Sequence, residues 1–258
     1  MPELPEVETI RSFIENKVQH KVITAVDVSL PRLIRNTTAD HFVSALTGTE
    51  IEGVSRRGKY LFLHCSGPWS VLVHLRMTGS LLYEAQPGEY AGRAVHVVFS
   101  LTEGRLLYRD IRTLGCLWLV PTKGLTGIKG YDNLGPDAIS PDFTAAGLYR
   151  FLKETRRPVK TVLLDQTKVA GIGNIYVDEA LFRAGIRPLR RGCKVTKKKR
   201  QNSMRLSRLF SKKASHTAVR RYGISSAAMA KKGRTRKTSA STAAKGHRVR
   251  SAARPLNT

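Results

Sequence analysis

The chain has 258 residues, 41% apolar and 25% charged, with 45 Lys and Arg against 19 Asp and Glu, a formal charge of +26. That apolar content excludes wholesale disorder, and the length allows one large domain or two ordinary ones. No apolar run approaches the roughly 18 residues of a membrane span, and Cys65, Cys116 and Cys193 lie too far apart for a disulfide scaffold or a C-x-x-C metal pair.

Residues 1–20 read as a helix, with Glu6, Val7, Ile10, Ile14 and Val18 at helical spacing after a Pro-rich start. That start, Met1-Pro2-Glu3-Leu4-Pro5-Glu6, is acidic and unlike a secretory signal, so a reduced cytoplasmic setting is expected. From Val22 to about Leu119 the pattern turns β-like. Segments such as 60–64, 71–75 and 94–99 are short, apolar and bounded by Gly or Pro, as in a sandwich or barrel. Residues 121–141 carry Gly124, Gly127, Gly130, Gly135 and Pro136 and read as a hinge. Helices are expected over 144–154, 160–165 and 175–184, with Asn174 as N-cap of the last and Gly185 as its stop.

Charge is uneven along this order. All 19 acidic residues lie at or before Glu179, whereas 20 basic residues fall between Cys193 and Thr258. The first 192 positions hold the other 25 basic residues, a net charge of +6. A basic body suits a polyanion whose condensed counterions are released on binding.

The N-terminus carries the most pointed chemistry. A methionine before a small second residue is normally removed, which would expose Pro2 as a secondary α-amine. Such an amine titrates near 8, far below lysine, and can attack electrophilic carbon. Glu3 and Glu6 lie within one helical turn of it, close enough for proton transfer. The same residues also read simply as a Pro-rich helix start whose acids favour the helix dipole.

The opening M-P-E-L-P-E-V-E-T is similar to the start of the bacterial formamidopyrimidine-DNA glycosylases. V-A-G-I-G-N-I-Y-V-D-E-A-L-F at 169–182 resembles the helical-domain signature of the same family. Arg57-Gly58-Lys59-Tyr60-Leu61, His74-Leu75-Arg76-Met77-Thr78-Gly79 and Asp110-Ile111-Arg112 fall in family order, and the resemblance covers about residues 1–192. It implies an α+β fold: an N-terminal helix with a β-sandwich domain (1–120), a hinge (121–141) and a partial helix-two-turn-helix domain (142–199). It also implies a base-excision glycosylase and abasic-site lyase, acting as a monomer on double-stranded DNA with oxidised purines such as formamidopyrimidine and 8-oxoguanine. The implied setting is the bacterial cytoplasm, at the nucleoid.

Carried over by position, the resemblance makes Pro2 the nucleophile at the sugar C1′, Glu3 its acid–base partner, Glu6 a support and Lys59 a cation at the lesion. Without it, Lys59 also reads as a solvated strand-edge lysine. A damaged nucleotide must leave the stack to be reached. Met77 and Arg112 match the positions that fill the gap, although Met77 alone reads equally as a core methionine. The family usually has Phe two residues after this arginine; here it is Leu114, a smaller wedge. His74, Lys160, Asn174 and Tyr176 complete the implied DNA contacts, with Asn174 and Tyr176 at a helix start suited to phosphate.

Beyond Lys199 the resemblance ends. The family's second amphipathic helix, Gly-Gly-Thr-Thr turn and four-cysteine zinc hairpin are missing, so no metal ligand and no cofactor are expected. The basic tail over 200–258 is expected to be disordered. In a shifted frame, permitted codons over 247–258 give P-C-P-V-C-G-T-P-F-E-Y, and those over 215–221 give Y-G-G-T-T-L. These are the missing zinc-hairpin start and turn in the right order. A frameshift near Lys197-Lys198-Lys199 explains the tail, and loss of the hairpin is expected to impair activity. The alternative is a catalytically inactive DNA-binding remnant with a basic arm.

Overall fold

The computed structural model describes residues 1–88, 94–124 and 126–196. The expected tail over 200–258, and the frameshift point at 197–199, lie outside the described residues. Among those described, no helix is long and apolar enough to cross a membrane.

Helix α1 (Leu4–Val18) begins at N-cap Glu3, whose backbone N–H donates to Glu6 Oε2 at 2.9 Å. Its apolar stripe, Val7, Ile10, Ile14 and Val18, is fully buried against two adjacent strands of one sheet and one strand of a second. Those sheets are four-stranded and antiparallel. One has the order β1 (Ile23–Val28), β6 (Val95–Leu101), β7 (Arg105–Asp110), β5 (Gly79–Glu84); the other β2 (Ile51–Arg57), β3 (Tyr60–Cys65), β4 (Trp69–His74), β8 (Cys116–Pro121).

The sandwich core follows the two-residue period of a strand. Leu61 and Leu63, Val71 and Val73, and Leu117 and Leu119 face inward from the second sheet. Val97, Phe99, Leu106 and Tyr108 meet them from the first. Burying each such side chain contributes about 1.5–3 kcal/mol. The outer face of the second sheet is also covered: Phe62, Leu72, Trp118 and Val120 pack under Tyr60, Ile128 and Tyr131. Two covered faces explain why these strands read as continuous apolar runs.

One element within the β-like stretch is α-helical. Helix α2 (Ala39–Leu46) is capped by Thr38, whose side chain accepts from His41 N–H, and it buries Phe42 and Leu46. The expected hinge is not slack, because it holds the short α3 (Lys129–Asp132) and packs Tyr131 on the sheet. Beyond it come α4 (Ala145–Lys153), α5 (Val159–Leu164) and α6 (Asn174–Arg183). Their cluster includes Leu148, Leu152, Val162, Val177 and Leu181, and Leu4 of α1 is buried within it. The chain's first helical residue thus joins the helical part to the sandwich.

Candidate active site

The residues before α1 and the start of α6 are 170 positions apart and built into each other. The Glu3 carboxylate accepts from the backbone N–H groups of Gly173 and Ile175, each at 3.0 Å, and of Tyr176 at 3.3 Å. It occupies the N-terminus of α6, where free N–H groups and the helix dipole favour an anion. Asn174, expected as the N-cap, is instead the first helical residue; Gly173 is the cap, and Glu3 takes the bonds a cap side chain would make. Asn174 is exposed beside this junction.

The two glycines of V-A-G-I-G-N are explained by this contact. Gly171 has φ +94°, and a Cβ there would lie 2.5 Å from Leu4 Cδ1; its carbonyl accepts from Leu4 N–H at 3.1 Å. A Cβ on Gly173 would lie 2.4 Å from the Glu3 carboxyl carbon. Tyr176 is buried, and its hydroxyl donates to Glu6 Oε1 at 2.9 Å. Burial first, then the Glu6 charge, raise this phenol above the ordinary tyrosine range.

Pro2 is buried between exposed Met1 and Glu3. Met1 lines a cavity of about 450 Å³ together with Lys59, His74 and Arg76 from the sandwich and Lys129 and Asn133 from the linker. Lys59 is only 7% exposed, which removes the reading of a solvated edge lysine. Burial pushes its ammonium below the ordinary lysine range, and the negative charge of Glu3 offsets part of that shift. His74 is buried too; burial, then the positive charges of Arg76 and Lys59, push it down to about 3. Its Nδ1 accepts from Arg76 N–H at 3.0 Å.

The turn that carries Lys59 is fixed by Arg56 and Asp137, which lie outside the recognisable motifs. Arg56, in the buried interior, donates to Glu8 of α1 at 2.8 Å and to Asp137 of the linker at 2.5 Å. Asp137 also accepts from Gly58 N–H at 2.8 Å. Gln166 holds the loop before α6, accepting from Gly171 N–H and donating to the Ile172 carbonyl. No local spacing announces any of these pairs.

Met77 and Arg112 are both exposed, on the β4–β5 and β7–β8 loops, so Met77 is not a core methionine. Leu114 and Ile111 stand exposed beside Arg112 in sequence. Lys160 lies on α5, with its ammonium 2.7 Å from the Asp178 carboxylate. That exposed pair contributes little to stability and can open at small cost.

Comparison with known proteins agrees with this architecture. The formamidopyrimidine-DNA glycosylase N-terminal domain model matches residues 1–117, and the H2TH domain model of the same enzymes matches 134–213. The formamidopyrimidine-DNA glycosylase of Pelotomaculum thermopropionicum is 45% identical over 191 residues, 74% of this chain and 69% of that protein. That of Bacillus licheniformis is 46% identical over 202 residues, 77% and 72% of the two chains. The chain belongs to the formamidopyrimidine-DNA glycosylase family. Among solved members, a Lactococcus lactis enzyme non-covalently bound to DNA with an abasic site superposes with a TM-score of 0.75 at 30% identity. It covers 81% of this chain and 80% of that one.

The resemblance implies a zinc ion held by four cysteines, and the residues present do not fit it. The chain has three cysteines. Cys65 and Cys116 are buried on β3 and β8, and Cys193 lies in a 3₁₀ turn at 192–194. Among the described residues no group of three His, Cys, Asp or Glu is arranged to hold a metal.

Proposed function

We propose that the chain is a base-excision DNA glycosylase with abasic-site lyase activity on oxidised purines, formamidopyrimidine and 8-oxoguanine, working as a monomer on double-stranded DNA in the cytoplasm. Family membership supports the general activity. The observation that carries the mechanism is the cavity lined by both Met1 and Lys59, with the Glu3 carboxylate fixed on α6. Removal of Met1 frees the Pro2 nitrogen at that wall.

The nitrogen bonds to C1′, the glycosidic bond breaks and the base leaves with its electron pair, taking up a proton. Opening of the sugar ring places a proton on O4′, carried by Glu3, and leaves an iminium between Pro2 and C1′. The iminium acidifies the C2′ hydrogen; its loss expels the 3′ phosphate, and a second elimination releases the 5′ side. Lys59 supplies positive charge at the lesion or its phosphate. Met77 and Arg112 occupy the vacated stack, and His74, Lys160 and Asn174 contact the backbone around it, with Tyr176 behind them. The exposed Lys160–Asp178 pair opens to release its cation for phosphate, whereas the buried Tyr176 ring contributes from beneath, through its bond to Glu6.

The tail is read as the product of a frameshift near Lys197-Lys198-Lys199, although the H2TH match runs on to residue 213, with activity reduced by loss of the hairpin. Codons incompatible with the shifted frame would reject that origin. A second reading, a DNA-binding remnant without excision, is favoured by Phe182 and Leu189, apolar side chains 85% and 83% exposed in the helical part. Borohydride trapping on duplex DNA with an abasic site separates the two. A covalent adduct lost in a chain that retains Met1 or carries Pro2→Ala supports the enzyme; salt-sensitive binding without any adduct supports the remnant.

A further inference from the structure

Two loops that carry the exposed Met77 and Arg112 converge on one buried carboxylate. Asp110, at the end of β7, is fully buried. Its Oδ1 accepts from the Thr78 hydroxyl and from Arg112 N–H at 3.2 Å. Its Oδ2 accepts from Gly115 N–H at 2.7 Å and from the Tyr108 hydroxyl at 3.5 Å. Thr78 Oγ accepts in turn from Arg112 N–H at 3.1 Å, so the hydroxyl bridges both loops.

The surroundings leave this arrangement little freedom. The Tyr108 hydroxyl passes between Gly79 and Gly115, where an added Cβ would lie 2.8 Å and 1.6 Å from it. Each loop also holds a non-glycine residue in the left-handed region beside its exposed side chain: Arg76 at φ +53° before Met77, and Thr113 at φ +51° after Arg112. Such conformations cost about 1 kcal/mol or more and persist where neighbouring contacts over-determine them. Backbone bonds join in, with Gly79 N–H on the Leu75 carbonyl at 2.9 Å and Thr113 N–H on the Asp110 carbonyl at 3.3 Å.

We infer that Asp110 and Thr78 are positioning residues that clasp the Met77 loop to the Arg112 loop, so that both side chains enter the DNA stack as one rigid wedge. Neither touches DNA or the reacting sugar. Their function is to have the wedge formed before binding, so that its ordering cost is not charged to the flipped complex. The inference rests on the proposed role of Met77 and Arg112 in filling the vacated stack, and it is tested apart from that role.

The experiment measures affinity of the full chain for a duplex containing a tetrahydrofuran abasic analogue and for the undamaged duplex, in the same salt. Thr78→Val keeps the shape of the side chain and removes the bridge. It is expected to lower the preference for the abasic duplex about tenfold at a temperature where the variant is still fully folded. Its melting temperature falls by a few degrees through the lost bond to the buried carboxylate, and Thr78→Ser is expected to restore both. Asp110→Asn, where it folds, is expected to lose at least as much. If Met77→Ala and Arg112→Ala lower the preference while Thr78→Val does not, the clasp is refuted and the wedge stands. If none of the variants matters, or the parent shows no preference, the wedge reading fails and the clasp with it.

Discussion

His74 gives the sharpest electrostatic test of the buried floor of the cavity. It closes β4 in the second sheet, with the Tyr60 ring edge-on at 4.5 Å and Arg76 and Lys59 as the nearby positive charges. Burial and those charges push its pKa down to about 3, against about 6.5 in an unfolded chain. Below pH 6.5 the unfolded chain therefore takes up a proton that the folded chain refuses. Stability from this residue is complete above 6.5, is lost as pH falls through the window, and stops changing near 3. Each pH unit inside the window is worth about 1.4 kcal/mol, so descent from pH 7 to pH 5 costs about 2 kcal/mol. Urea unfolding of the parent and of His74→Gln at pH 7, 6 and 5 measures this directly. Glutamine keeps an acceptor near Arg76 N–H and does not titrate, so the variant should lose about 2 kcal/mol less over the same range. Curves that fall in parallel would refute a neutral, buried imidazole at this position.

Two other perturbations probe the junction and the missing metal site. Glu3→Gln removes the negative charge and replaces one of the two accepting oxygens that face three N–H groups of α6 with an NH2 donor; charge-assisted bonds of this kind are worth about 1.5–3 kcal/mol each. The expected loss on chemical denaturation is about 3 kcal/mol, with faster amide exchange at Ile175 and Tyr176, and a loss below about 0.5 kcal/mol would refute the cap. Chelation with 1,10-phenanthroline should leave the melting temperature unchanged, because the three cysteines offer no four-thiolate site; a fall of several degrees would reveal a bound ion contributing to the fold.

What the sequence disclosed and what it hid divide along physical lines. The stripe Val7, Ile10, Ile14 and Val18 is periodic and the segments 60–64 and 71–75 are compact apolar runs, so helix and strands could be read without coordinates. Which strand residues face the core, Leu61 and Leu63 or Phe62, could not, because both faces of that sheet are covered. Helix α2 carried a local signal, Thr38 as cap with Phe42 and Leu46 one turn apart, but eight residues between strands were absorbed into the β-like stretch. Asn174 reads as a cap because a polar residue at a helix start usually is one, whereas the capping oxygens come from Glu3, 171 positions earlier. Separation along the chain, 81 and 32 positions, likewise hid Arg56 with Asp137 and Thr78 with Asp110, because a buried charge announces no partner in its local sequence. The candidate site is therefore legible where its residues lie in compact motifs and silent where it is held together. Gly171 and Gly173 mark the boundary: their presence in the motif could be read, but their reason, the approach of Leu4 and Glu3, exists only once the two halves of the chain have met.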